Sequence, residues 1–335
     1  MPGELEPIAK HLPVTYSRVD YTISDETRKL LEEGLNENTK RAYTRQWTSF
    51  EAWCVKAGRV YLPATPETLT EYVTHLTKAT KPPSPTSIQQ AIATIRHVHA
   101  QAGHDDQPAI KGALTALKGY RKRWLHRGQR VNKAAPILLE DLQAMVKTCK
   151  PTTPRGIRDR AILLLAWPMM ARRSEVANLW DRDVEVTPKG LLVYIAMSKT
   201  DQEGKGFEVA VPKGTGETDP VAALKAWRDV KAAAGIQGGK LFRSINRWGQ
   251  IQEGICADAI GRIVKQSAMA AGLPSAEQYS AHGMRAGSAT QAHIGGKRLS
   301  AISRQGRWSE KSATVLGYIR GVDQWEDNPM DGIGL

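Results

Sequence analysis

The sequence predicts a mainly α-helical chain of two domains, a helical bundle followed by a mostly helical α+β domain with a small three-stranded antiparallel sheet. Three observations predict it. A length of 335 residues favours two domains over one. Apolar residues recur at spacings of three and four through most of the chain. Alternating or clustered β-formers are confined to one stretch between Val184 and Val211.

Taken in order, residues 1–24, with Pro7 and Pro13, read as a loose arm. Asn36 or Asn38 can cap a helix whose buried positions are Tyr43, Trp47, Phe50 and Trp53/Cys54, ending at Gly58. Thr65-Pro66 is a cap with the favoured first-turn proline, followed by the stripe Leu69, Tyr72/Val73 and Leu76. After the loop Lys81-Pro-Pro-Ser-Pro, the spacing of Ile88, Ala91/Ile92, Ile95 and Val98/His99 predicts a third helix, stopping near Gly103. Ile110 to Lys122 supplies a fourth, so residues 25–120 form a bundle of four or five helices. From Lys118 to Lys133 there are seven basic residues and no acidic one, which assigns 121–135 to a basic interdomain linker.

The second domain spans 136–320. Leu139 to Val146 and Ile157 to Met169 read as helices. Strands are expected at Val184 to Glu185, Leu191 to Met197 and Glu208 to Val211, with Gly204 and Gly206 in a turn. Helical patterns resume at Val221 to Ala234, Cys256 to Ala271, Gly283 to His293 and Ser300 to Gln305, and a final helix contains Ser312 to Ile319. Residues 321–335 are a tail.

Composition narrows the function. Lys and Arg number 47 against 34 Asp and Glu, a net charge of +13, and both halves of the chain are basic. Such a charge concentrates a long polyanion around both domains. The longest apolar run, Ala161 to Ala171, falls short of the roughly 20 residues that span a bilayer, so no membrane partner is expected. The start of the chain lacks a secretion signal, and Cys54, Cys149 and Cys256 are too scattered for a disulfide framework or zinc site; a reducing cytosol fits. With no Gly-x-x-x-x-Gly-Lys-Ser/Thr loop, no His-Glu-x-x-His and no acidic cluster for magnesium, neither cofactor nor metal is expected.

Four stretches concentrate groups able to handle a phosphate: Arg172-Arg173-Ser174-Glu175, Ser198-Lys199-Thr200, His282-Gly-Met-Arg285, and Trp308 preceding Tyr318. Attack on a phosphodiester loads negative charge onto nonbridging oxygens. Arg172 and Arg285 answer with forked donors that stay charged at any working pH, and Trp308 can add an N–H. Tyr318 must lose a proton as it attacks while the departing oxygen gains one. His282 and Lys199 can serve as that base and acid.

The order and spacing of these stretches resemble the tyrosine recombinase (phage integrase) family, whose sites run Arg-x-x-Glu, a Lys on a β-turn, His-x-x-Arg, His or Trp, and a nucleophilic Tyr about nine residues later. Asn38-Thr39 with Arg41, Trp53-Cys54, Ser87-Ile88-Gln89-Gln90 and His99 resemble the family's first domain, so the likeness covers about residues 25 to 325. One departure is that Tyr318 lies ten residues after Trp308, an insertion a loop absorbs easily. The register Arg-x-Ser-Glu selects Arg172, leaving Arg173 as a neighbour contact or ion pair.

The resemblance implies a C-shaped DNA clamp and site-specific recombination through a 3′-phosphotyrosine. Lys199 would then be the general acid, His282 would assist Tyr318, and Glu175 would orient the cluster. It also implies a target of inverted repeats in double-stranded DNA. The protein would be a monomer or dimer when free and a homotetramer on two duplexes, the 321–335 tail docking on a neighbouring protomer. Arg41, Gln89 and Gln90 sit where family members insert helices into the major groove, Arg262 and Lys265 could do the same in the second domain, and Arg121, Lys122 and Arg123 suit phosphates. Two alternatives stay open: relaxation of DNA in the manner of a type IB topoisomerase, and a DNA-binding regulator without chemistry.

Overall fold

The computed structural model describes residues 22–34, 37–130, 134–196, 206–274, 276–309 and 314–318, with residues 17, 19, 312, 328, 330 and 333 described singly. The chain divides into two compact units, residues 1–131 and 132–335. No helix among the described residues is long and apolar enough to cross a membrane.

Among its described residues the first unit holds five helices: α1 Asp25–Glu33, α2 Glu37–Lys56, α3 Pro66–Thr77, α4 Pro85–Gln101 and α5 Lys111–His126. Capping follows the sequence. The Thr65 hydroxyl accepts the Thr68 N–H at 3.1 Å and the Ser84 hydroxyl the Ser87 N–H at 3.2 Å, each just before a first-turn proline. Phe50, Leu69, Ile88, Ile95, Leu117 and Trp124 meet in one core. His99 braces it as a neutral ring: Nε2 accepts the Ala64 N–H and Nδ1–H donates to Ile95 O, both at 2.8 Å. Burial, opposed by the Ile95 bond and helped by His104, holds that imidazole below its ordinary value.

Several local expectations change. α1 is a polar helix that hydrophobic spacing does not reveal. α2 begins at Glu37, so Asn38 lies inside it, and Asn36 falls outside the described residues. The expected linker at 121–135 starts too early. Residues 121–126 continue α5 because Tyr120 and Trp124 fall on its buried face, and the basic side chains between them point to solvent.

The second unit runs α6 Leu139–Lys147, α7 Pro154–Ala166, α8 Arg173–Asn178, β1 Val184–Thr187, β2 Gly190–Ile195, β3 Phe207–Pro212, α9 Pro220–Ala233, α10 Ala257–Ala270, α11 Ala281–Ile294 and α12 Leu299–Gly306, with 314–318 helical. The three strands are antiparallel in the order β1-β2-β3, Leu191 lying opposite both Val186 and Val211. Val193, Ile195, Val209 and Val211 bury one face of the sheet in the same core as Trp227 of α9, whose indole N–H donates to Leu241 O at 2.8 Å. At the foot of β1, the buried Lys231 of α9 pairs with Asp181, and Arg228 donates to Asp181 O and Val184 O at 2.9 Å.

α7 is the central helix, with Ala161 to Ala166 all buried. It stops at Ala166, short of the expected Met169, because Pro168 has no N–H to continue the ladder. The turn that replaces its last residues holds Met170 at φ 48, a left-handed conformation without glycine. Along α11, Gly283 and Gly287 let residues 135–137 lie directly on the helix: an added Cβ would sit 2.3 Å from Ala135 O and 1.9 Å from Ile137 O respectively.

Candidate active site

Five elements of the second unit deliver the site. The turn after α7 leads into α8, where Arg172 is the N-cap; the Glu175 carboxylate reaches back to accept the Arg172 N–H at 2.8 Å and pairs with its guanidinium at 2.7 Å. This fixes the arginine at both its backbone and its tip. Ser280 caps α11 and so places His282 in the first turn, with Arg285 three residues on and on the same side of the helix. α12 ends in a left-handed residue, Arg307, which turns the chain so that Trp308 folds back. The helical segment 314–318 then presents Tyr318.

These parts converge on one cleft of about 980 Å³ whose walls include Arg172, His282, Arg285, Trp308 and Tyr318. Tyr318 Oη and His282 Nε2 are 2.7 Å apart in a hydrogen bond. The Trp308 ring lies with its centroid 4.0 Å from the Arg285 guanidinium carbon and 5.8 Å from the Tyr318 ring, so the indole holds both the cation and the phenol. Arg285 is buried, its two terminal nitrogens donating to Met170 O and Gly306 O. Gln305 Nε2 donates to Pro168 O at 2.8 Å and to Ala210 O at 2.9 Å, tying α12 to the turn after α7 and to β3.

The electrostatics suit an anion. Desolvation, then the repulsion of Arg172 and Arg307, draws Arg285 down to about 9, which still leaves the guanidinium charged at neutral pH. Desolvation followed by Arg285 and Arg172 lowers His282 below its ordinary value, so the ring is neutral and able to take a proton. Burial raises the Tyr318 hydroxyl while Arg285 and Arg172 pull it down. The phenol is therefore protonated at neutral pH. Among the described residues, no group of three or more His, Cys, Asp or Glu is placed to hold a metal ion.

Of the residues singled out in the sequence, Arg172, Glu175, His282, Arg285, Trp308 and Tyr318 come together here, and Lys199 lies outside the described residues. Arg173 pairs with Asp258 of α10 at 2.9 Å. Arg262 and Lys265 are exposed further along α10. In the first unit, Arg41 is exposed on α2, Gln89 and Gln90 on α4, and Arg121, Lys122 and Arg123 on α5; the Arg121 guanidinium donates to Gln89 Oε1 at 3.3 Å. The tail 321–335 lies outside the described residues except for 328, 330 and 333.

One residue of the site has no signal in the sequence reading. Arg307 is buried, and its guanidinium pairs with Glu175 at 2.7 Å. In the sequence, a lone arginine immediately before Trp308 reads as surface.

This architecture has known counterparts. The description of the phage integrase family matches residues 137–324. An integrase/recombinase xerD homolog from Selenomonas ruminantium is 30% identical over 313 residues, covering 92% of this chain and 89% of its own length. Recombinase cre of Escherichia phage P1 is 25% identical over 329 residues, covering 91% and 92%. Among solved structures, lambda integrase residues 75–356 bound to DNA superpose with a TM-score of 0.56 at 14% identity, over 91% of this chain and 96% of that one. A lambda integrase tetramer bound to a Holliday junction gives a TM-score of 0.52 at 14% identity, over 89% and 76%.

Proposed function

Because this chain belongs to the phage integrase family and is a tyrosine recombinase, a DNA strand-transferring enzyme, we propose that it exchanges strands between two target sites with Tyr318 as the nucleophile. The observation that carries this is the 2.7 Å hydrogen bond between Tyr318 Oη and His282 Nε2 inside a cleft walled by two arginines. Tyr318 Oη attacks the scissile phosphorus and its proton passes to His282 Nε2. The bond from phosphorus to the 5′ oxygen breaks, and that oxygen takes a proton from Lys199. Arg172 and Arg285 hold the nonbridging oxygens as charge builds on them.

The product is a 3′-phosphotyrosine and a free 5′ hydroxyl. One phosphodiester is exchanged for another, so attack by a partner strand's 5′ hydroxyl restores DNA without an external energy source. Two rounds of exchange require a four-way junction and four active sites. A solved integrase of this fold is a tetramer on a Holliday junction, and the same assembly is extended here: four protomers on two duplexes, monomer or dimer when free, acting on DNA in the cytoplasm at inverted repeats. The tail 321–335 would dock on a neighbouring protomer. Arg41, Gln89, Gln90, Arg262 and Lys265 supply candidate base contacts, and Arg121, Lys122 and Arg123 phosphate contacts.

The test is Tyr318→Phe on a DNA fragment selected by binding. The variant should bind with unchanged affinity and give no detergent-resistant protein–DNA adduct. Adduct formation at the original yield would remove Tyr318 from this role.

A further inference from the structure

We infer that Arg307 is a positioning residue for the phosphate clamp, a buried third guanidinium that holds Arg172 and Arg285 in register with each other. The inference rests on the reading of Tyr318 and those two arginines as the strand-transfer site. Arg307 is 4% exposed and adopts φ 56, ψ 44, a left-handed conformation that a side chain disfavours by about 1 kcal/mol or more. It persists because the surroundings fix it. Nη1 donates to Met169 O at 3.1 Å and Gln305 O at 2.9 Å, and Nη2 to Met170 O at 3.3 Å and Glu175 Oε2 at 2.7 Å.

Two of those partners are shared with the clamp. Glu175 is the carboxylate that pins Arg172, through its N–H at 2.8 Å and its Nη1 at 2.7 Å. Met170 O is the carbonyl that receives Arg285 Nη1, and Gly306 O, one residue before Arg307, receives Arg285 Nη2. A single side chain thus reaches the anchor of each arginine. Neither Glu175 nor Met170 could shift without disturbing Arg307, and Met170, also left-handed, is itself held in an unfavourable conformation.

Charge gives the arrangement its direction. Three guanidiniums against one carboxylate leave the cluster with a surplus of positive charge facing the cleft. Without Arg307, Arg172 would be the one guanidinium of these three still bonded directly to Glu175. The carboxylate would draw that fork inward, and the surplus available to the phosphate would fall. The loss should therefore appear in the step where the phosphate gains charge and leave DNA binding largely unaltered.

The experiment compares two substrates in single-turnover adduct formation: ordinary target DNA, and DNA in which a methyl replaces one nonbridging oxygen of the scissile phosphate, making it neutral. For Arg307→Met, the adduct rate on ordinary DNA should fall about 100-fold and on neutral DNA less than about tenfold, with affinity unchanged. Arg307→Lys keeps the charge and should recover at least about tenfold of the loss on ordinary DNA. Equal losses on both substrates would mean that Arg307 only supports the fold of the site, and a full rate for Arg307→Met would mean that it does nothing there; either result overturns the inference. If Arg307→Met does not fold, the same two-substrate comparison is read on Arg307→Lys, with a deficit larger on ordinary DNA supporting the inference and an equal deficit overturning it. Tyr318→Phe runs alongside: adduct from that variant would defeat the nucleophile assignment, while the substrate comparison still reports on Arg307.

Discussion

Gly306→Ala is a one-carbon perturbation with a sharply directed effect. A Cβ built at Gly306 would lie 1.8 Å from Cζ3, 2.1 Å from Cε3 and 2.6 Å from Cη2 of Trp308. Ordinary carbon contacts are about 3.5–4.0 Å, so the indole must retreat by about 2 Å. That ring lies 4.0 Å from the Arg285 guanidinium and against Tyr318. The stability terms nearly cancel: alanine in a helical turn gains up to about 1 kcal/mol over glycine, and loss of the cation–π contact removes about 0.5–2 kcal/mol. The chemistry has no such compensation, because a misplacement of about 1 Å near the reacting groups can lower a rate by about 100-fold. Gly306→Ala should therefore melt within a few degrees of the unmodified protein and form the covalent adduct about 100-fold more slowly in single-turnover assays. An unaltered adduct rate would refute the claim that the seat of Trp308 governs the arginine and the tyrosine.

Two further predictions concern pH. His282 must be neutral to accept the Tyr318 proton, and its value is held below 6.5 by burial and by Arg285 and Arg172; the adduct rate at subsaturating DNA should stay level down to about pH 6.5 and fall only below it. His282→Gln should lower the rate by about 10²- to 10⁴-fold and abolish that acid limb, and an acid limb centred above 6.5 would contradict the assignment. His99 is also depressed and neutral in the folded first unit. Its stabilising contribution is complete above the unfolded value near 6.5 and is lost as pH falls below that through the folded value. Hydrogen exchange of the first unit in the full chain should accelerate across that window, whereas His99→Phe should flatten the response and cost about 1–3 kcal/mol at pH 8 by stranding the Ala64 N–H. Identical pH profiles for the two proteins would remove the histidine from this role.

The site was legible where chemistry is written in short spacings. Arg172 with Glu175 and His282 with Arg285 are three residues apart because one helical turn separates them, and so a reader of the sequence can pair them. Arg307 was illegible because its role comes from a left-handed backbone and from carbonyls more than 130 residues upstream. The fold shows the same division. Thr65-Pro66 announces its helix, whereas Ser84-Pro85, which caps and opens α4, is hidden in an expected loop, and the six residues of α8 carry too little periodicity to be seen. The run of basic residues after Lys118 hides only the last turn of α5, which the four-residue spacing of Tyr120 and Trp124 carries to His126. Lys231 misleads in the opposite sense: a lysine in a helix reads as solvent-facing, and here it is buried against Asp181.

The Gln305 amide has a consequence for how distant parts of the candidate site are held together. By binding Pro168 O and Ala210 O, it makes the approach to the phosphate clamp, the hairpin's return strand and the helix that delivers the indole share a fixed point. In the sequence, Lys199, proposed to serve the leaving oxygen, falls between β2 and β3, and Tyr318, the proposed nucleophile, follows α12. Stretches 137 residues apart in the chain, the turn before Arg172 and the end of α12, are thereby surveyed from the same benchmark.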